Sequence, residues 1–179
     1  MRLPGRGSRS CDGRWCAPTV TFSAATASLT WALWERIRYG KASLVGMVTG
    51  TIAGLASITP ASGSVGPVEA LIIGGVAGVL CQVLCGVIKE LLNIDDTLDV
   101  FAVHGVGGMF GIIMLVVFGH AGAVEQLGGL AVVGVWTIVT TTAIILVVKA
   151  IFPLRVGEED EATGLDLTSH GERAYDMTS

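Results

Sequence analysis

The chain has 179 residues, 51% of them apolar and only 15% charged, with a mean hydropathy of +0.69. A soluble domain carries about 25% charged residues, so the composition excludes an ordinary soluble fold and points to a bilayer. The net charge of −4 identifies no partner class, because it sums a basic start (Arg2, Arg6, Arg9, Arg14) and an acidic end (Glu158, Glu159, Asp160, Glu161).

Taken in chain order, residues 1–19 show no apolar periodicity and lack the clean apolar core and cleavage site of a signal peptide. They are expected to form a disordered or artefactual leader. Residues 20–37 are apolar but rich in Ser, Thr and Ala, and end on the aromatic and basic edge of Trp34, Arg36, Arg38 and Tyr39. Such an edge suits a membrane interface, and the segment reads as the weakest of five spans. The next spans are predicted at 42–61, 68–89, 98–119 and 126–151. Each is of the order of the ~20 residues that a helix needs to cross the hydrocarbon core. Pro60, Gly63, Gly66 and Pro67 break the second from the third. Residues 154–179 form a polar tail. The fold class is therefore all-α, a polytopic membrane helix bundle of about five spans.

Between residues 42 and 153 the only charged residues are Glu69, Lys89, Glu90, Asp95, Asp96, Asp99, Glu125 and Lys149. Basic residues fall beside the first and third loops (Arg36, Arg38, Lys41; Lys89), whereas the second and fourth hold only Glu69 and Glu125. By the positive-inside rule the first and third loops face the cytoplasm, and so does the tail. This orientation leaves the Arg-rich start outside, a conflict that again sets residues 1–19 apart. Cys11 and Cys16 carry no forced pairing, and Cys81 and Cys85, one helical turn apart within a span, read as small apolar residues. No ligand set with metal-site spacing is present, and no cofactor is expected.

One titratable residue stands out. His104 lies in a run without charge from residue 100 to residue 124. An ionisable ring inside a membrane usually faces a pathway or a partner; a bond to a neighbouring helix carbonyl is the structural alternative. On an α-helix Val100, His104, Gly108 and Gly111 share a face, and glycines there let a helix or a small solute approach the imidazole. Asp95, Asp96 and Asp99 precede this span, where carboxylates cap free N–H groups and favour the helix dipole. The stripes Gly46, Gly50, Gly54 and Gly74, Gly75, Gly78 read as packing faces.

Five ordered motifs then carry a family resemblance: WERIRYGKASLVG at 34–46, TIAGLASITPASG at 51–63, ALIIG at 70–74, DDTLDVFAVHGVGG at 95–108 and GLDLTSHGERAY at 164–175. Together they resemble the C-terminal half of ammonium transporters of the Amt/Mep/Rh family. The resemblance implies a truncated ammonium-transporter fold in which this chain supplies the last five of eleven helices and the cytoplasmic tail. It implies a pore in each subunit of a homotrimer, with His104 as the second of two pore histidines and Val100 as the apolar pore position one turn before it. Ammonia and the proton would pass separately. Gly105, Gly108 and Gly111 would be structural. Gly164, Asp166, His170, Gly171, Glu172 and Tyr175 would form a regulatory tail, with a PII-type signal protein as a partner at the cytoplasmic face of the plasma membrane.

Two other classes are weighed against transport. A membrane-embedded enzyme would have only His104 and Asp99 to work with, five residues apart and without a nucleophile. A non-transporting truncated fragment follows if the first six helices are missing, because inverted repeats close such pores between them.

Overall fold

A computed structural model describes residues 16–94 and 96–172. All the regular elements among them are helical: α1 (Cys16–Tyr39), α2 (Leu44–Ile58), α3 (Pro67–Gly86), α4 (Gly107–Val117), α5 (Ala123–Ile151), α6 (Glu158–Thr163) and α7 (Leu165–His170). Two π turns complete the set, Val87–Leu91 at the end of α3 and Phe101–Val106 leading into α4. The chain divides into two units, residues 1–130 and 131–179. The first unit holds α1–α4, and the second holds most of α5 together with α6 and α7.

Within the first unit α1 is the helix on which α2 and α3 pack, and glycine is the reason. A Cβ on Gly50 would lie 2.7 Å from Trp31 Cβ, and one on Gly54 would lie 2.5 Å from the Ser23 carbonyl and 2.7 Å from Ala27 Cβ. From the other side, a Cβ on Gly74 would collide with the Ser23 carbonyl, and one on Gly78 would lie 2.5 Å from the Ala27 carbonyl. The stripe Ser23–Ala27–Trp31 is thus held at backbone distance between two glycine faces, the close approach that drives helix association where no hydrophobic difference separates protein from lipid. Gly75 is not part of this contact, since its nearest neighbour is Thr30 Cγ2 at 3.8 Å.

The Ser and Thr content of α1 has the same origin. Ser23 Oγ donates to the Gly54 carbonyl (2.9 Å) and Ser28 Oγ to the Met47 carbonyl (3.0 Å), both on α2, while Thr19 Oγ1 donates to the Ser62 carbonyl (3.3 Å). Thr19 and Ser23 are buried. Ser23 and Ser28 bond α1 to α2 and Thr19 bonds it to the turn after α2, so the polar composition that makes residues 20–37 look like the weakest span belongs to the central helix. The helix also begins four residues earlier, at Cys16.

The turn between α1 and α2 is tied by Glu35. Its carboxylate accepts from Trp31 Nε1 (3.2 Å), Ser43 N (2.7 Å) and Ser43 Oγ (3.2 Å), while Ser43 Oγ caps α2 by accepting from Gly46 N (2.9 Å). Helix α2 has 15 residues, roughly 22 Å at 1.5 Å each, less than the ~30 Å of a hydrocarbon core. Beyond Ile58 the chain continues as tight turns whose Ala61 and Val65 are buried with Ile58, Ala70, Ile73 and Leu115. In a membrane protein, non-helical backbone is tolerated where protein covers it in this way. Pro67–Leu91 and Ala123–Ile151 are long and apolar enough by length and composition to cross a membrane.

Gly54→Ala is expected to destabilise the bundle by about 1–3 kcal/mol, since the added methyl must displace backbone atoms of α1. Gly86→Ala is the control. Gly86 has helical angles and its Cβ would meet nothing within 4 Å, so this change should be neutral or stabilising by up to ~1 kcal/mol. Thermal melts in detergent followed by helical circular dichroism give both values.

Candidate functional site

The segment between α3 and α4 is built to present His104. Helix α3 runs into the π turn Val87–Leu91, a short loop follows, and the second π turn, Phe101–Val106, carries the imidazole. π turns close i→i+5 instead of i→i+4 and occur often at functional sites. Three acceptor bonds start this second turn and a fourth closes it. Asp96 Oδ1 accepts from Val100 N (2.8 Å) and Oδ2 from Phe101 N (2.9 Å), the Asp99 carbonyl accepts from Val103 N (2.9 Å), and the Ala102 carbonyl accepts from Gly107 N.

Asp96 therefore caps the start of the turn. Asp99 does not: its Oδ1 lies 2.8 Å from Lys89 Nζ, and its backbone sits at φ +56°. The ammonium on the preceding π turn holds this carboxylate away from the free N–H groups, so capping is the role of Asp96 alone among the two described aspartates. Asp95 and Tyr175 lie outside the described residues.

His104 lines an apolar cleft of about 570 Å³ together with Ile88, Ile94, Asp96, Val100, Phe101 and Gly105. Val100 and Phe101 are exposed to it, 51% and 59% respectively, and His104 is exposed as well. The imidazole makes no hydrogen bond to another described residue. The floor under the turn is a cluster of Trp31, Ala53, Cys81, Cys85, Ile88, Ala102 and Val103, so one side of the π turn is buried and the side bearing His104 is open.

The single face expected for Val100, His104, Gly108 and Gly111 is divided. Gly111 is buried, and a Cβ there would strike the Ser57 carbonyl of α2; Gly107 is its companion, with a Cβ position 3.0 Å from Ser57 Oγ. Gly108 has nothing within 4 Å, and the neighbour of Gly105 is the Phe101 ring at 3.2 Å. The extra residue taken up by the π turn puts side chains before Val106 out of phase with those after it. The packing face on α2 is therefore Gly107 and Gly111, and the open face holds His104, Val100 and Gly108.

The spacing of the sequence did not reveal Phe101, Ile88 or Ile94 as lining residues. Nor did it reveal two tertiary contacts: Lys89 with Asp99, and His120 Nε2 at 3.1 Å from Glu69 Oε1, which joins the start of α3 to the turn after α4. Glu69 also accepts from Gly66 N (2.7 Å). In the second unit Gly164 joins α6 to α7 at φ +99°, the Asp166 carbonyl accepts from Glu172 N (2.9 Å), His170 ends α7, and Gly171 caps it at φ +66°. No group of three or more metal-ligating side chains occurs among the described residues.

An exposed imidazole over an apolar cleft in a glycine-packed helical bundle does not by itself name the class of protein; the comparisons with known proteins do. Residues 8–175 match the Ammonium Transporter Family. The ammonium transporter of Aquifex aeolicus (strain VF5) is 35% identical over 177 residues, covering 91% of this chain and 42% of that protein. That of Bacillus subtilis (strain 168) is 38% identical over 172 residues, covering 87% and 43%. A solved structure described as a sensor Amt protein superposes with a TM-score of 0.80 at 28% identity, covering 89% of this chain and 42% of the other. The chain belongs to the ammonium transporter family and is a membrane protein. It spans 42–43% of the length of these two relatives. The match starts at residue 8, inside the opening stretch that composition had set apart.

Asp96→Ala removes both side-chain acceptors at the start of the π turn. It should lower stability by about 1 kcal/mol, with Asp96→Asn costing less, as for other helix caps. Detergent melts of the two variants against the parent chain check the order.

Proposed function

We propose that this chain supplies one wall of an ammonia-conducting path, with His104 as its proton-handling group and Val100 as its apolar lining. The observation that carries the proposal is an imidazole that makes no hydrogen bond to another described residue and lines an apolar cleft, in a member of a transporter family. An ammonium ion is costly to desolvate in such surroundings, whereas neutral ammonia is not. Deprotonation before passage therefore suits an apolar wall. A neutral imidazole both donates and accepts, so His104 could hand the proton to a second group across the cleft while ammonia crosses separately. The wall is one-sided, since His104 and Val100 are exposed, and the opposing wall has to come from further helices of the same fold.

The wider assembly belongs to the same proposal: a homotrimer in the plasma membrane, with the tail residues Gly164, Asp166, His170, Gly171 and Glu172 regulating from the cytoplasmic side, where a PII-type signal protein would dock. Because the loops after α1 and α3 carry the basic residues, they face the cytoplasm in this reading. The cleft, which reaches Ile94 and Asp96 in the second of those loops, then opens inward.

In liposomes the 179-residue chain alone should take up no methylammonium above background, which is also what a non-transporting fragment predicts. Co-expressed with the helices that precede the matching half of the Bacillus subtilis relative, it should transport, and His104→Ala should abolish proton coupling without changing assembly. Full rate and coupling with alanine at position 104 would defeat the assignment; so would saturable uptake by the chain alone.

The orientation has its own check. Cysteines placed at Ser64 and Gly122, both exposed, should react with an impermeant thiol reagent on intact cells, and one at Ser169 should react only after lysis. Labelling of the Ser169→Cys variant in intact cells would reverse the topology.

A further inference from the structure

Lys89 and Asp99 bracket the loop that separates the two π turns, and they are joined across it. Lys89 Nζ lies 2.8 Å from Asp99 Oδ1 and 3.5 Å from the Thr97 carbonyl, so one ammonium reaches the loop at two points. Asp99 is held at φ +56°, a left-handed conformation that a residue with a side chain adopts only at a steric cost. Residues kept in such regions persist where their surroundings over-determine them. Here the surroundings are the Lys89 contact on one side and the Asp99 carbonyl bond to Val103 N on the other. The residue after Asp99 is Val100, and the turn that carries His104 begins next to it. A change in the Asp99 backbone therefore rotates the first residues of that turn directly.

The geometry points to Lys89 as a positioning residue for His104. Through Asp99 it fixes where the second π turn starts, and so which way the imidazole faces over the cleft. Ile88, the residue before Lys89, is buried in the cluster beneath that turn with Ala102 and Val103. The ammonium is thereby anchored to the same floor that supports the ring it orients. The inference rests on His104 being the working group of the proposed path, yet it can be tested without transport.

The chain has three histidines, His104, His120 and His170, whose ring signals can be assigned by NMR of the full chain in micelles, using one His→Gln variant for each. Lys89→Met is expected to shift and broaden the His104 ring signal while leaving those of His120 and His170 in place, and Lys89→Arg should restore it. Asp99→Gly is the second variant: glycine can adopt the left-handed conformation without strain but is no longer held there by the ion pair, so the start of the turn is released and His104 should broaden as it does in Lys89→Met. An unchanged His104 signal in either Lys89→Met or Asp99→Gly overturns the proposal, as does failure of Lys89→Arg to restore it. Loss of transport in His104→Ala with no effect of Lys89→Met on the ring would sink the positioning role and spare the proposed path. A Lys89-dependent ring in a path that does not transport would do the reverse.

Discussion

The bundle depends on how closely α1 can approach its neighbours. In lipid, burying apolar surface distinguishes helix from helix poorly, so association relies on packing and interhelical hydrogen bonds. Gly50, Gly54, Gly74 and Gly78 remove the side chains that would keep α2 and α3 away from α1, and the Ser23 hydroxyl fills part of the space with a bond to the Gly54 carbonyl. Ala53, Cys81 and Trp31 then close into the cluster on which the His104 turn rests. The position of the imidazole is in this sense set by glycines on other helices.

Much of this was legible in the residues. The glycine stripes announced close packing, the charge-free runs announced apolar helices, and the motif around His104 carried the family. What could not be read was local geometry that depends on tertiary partners. Nothing in the string from Phe101 to Val106 marks a π turn, because the widened turn is stabilised by Asp96 beneath it and by the apolar floor, not by the propensities of its own residues. The same turn separated Gly111 from the His104 face, an assignment that a uniform 3.6-residue period had joined. Asp99 was misread for a related reason: a carboxylate before a helix suggests a cap until a lysine ten residues earlier folds back onto it.

The polar character of α1 shows the opposite error. Hydropathy ranks Ser and Thr low and so ranks the helix low, yet those hydroxyls are what the interior of a membrane bundle uses for specificity. Thr19 and Ser23 are buried and bonded to carbonyls of the following segment. A scale that scores each residue against water cannot see a partner that arrives only when the helices meet.

The two contacts at the ends of α3 also limit how the bundle can move. Glu69 stands near the start of this helix and touches His120, just beyond α4; Lys89 stands on the π turn at its other end and touches Asp99, just before the turn that leads into α4. Sliding α3 past α4 by one helical turn, about 5.4 Å, would break both contacts together. A piston motion of α3 against α4 is thus opposed at both ends, while rotation of a side chain within the cleft breaks neither contact. Side-chain rotation is the movement of the cleft that both contacts leave free, at the scale of a single residue.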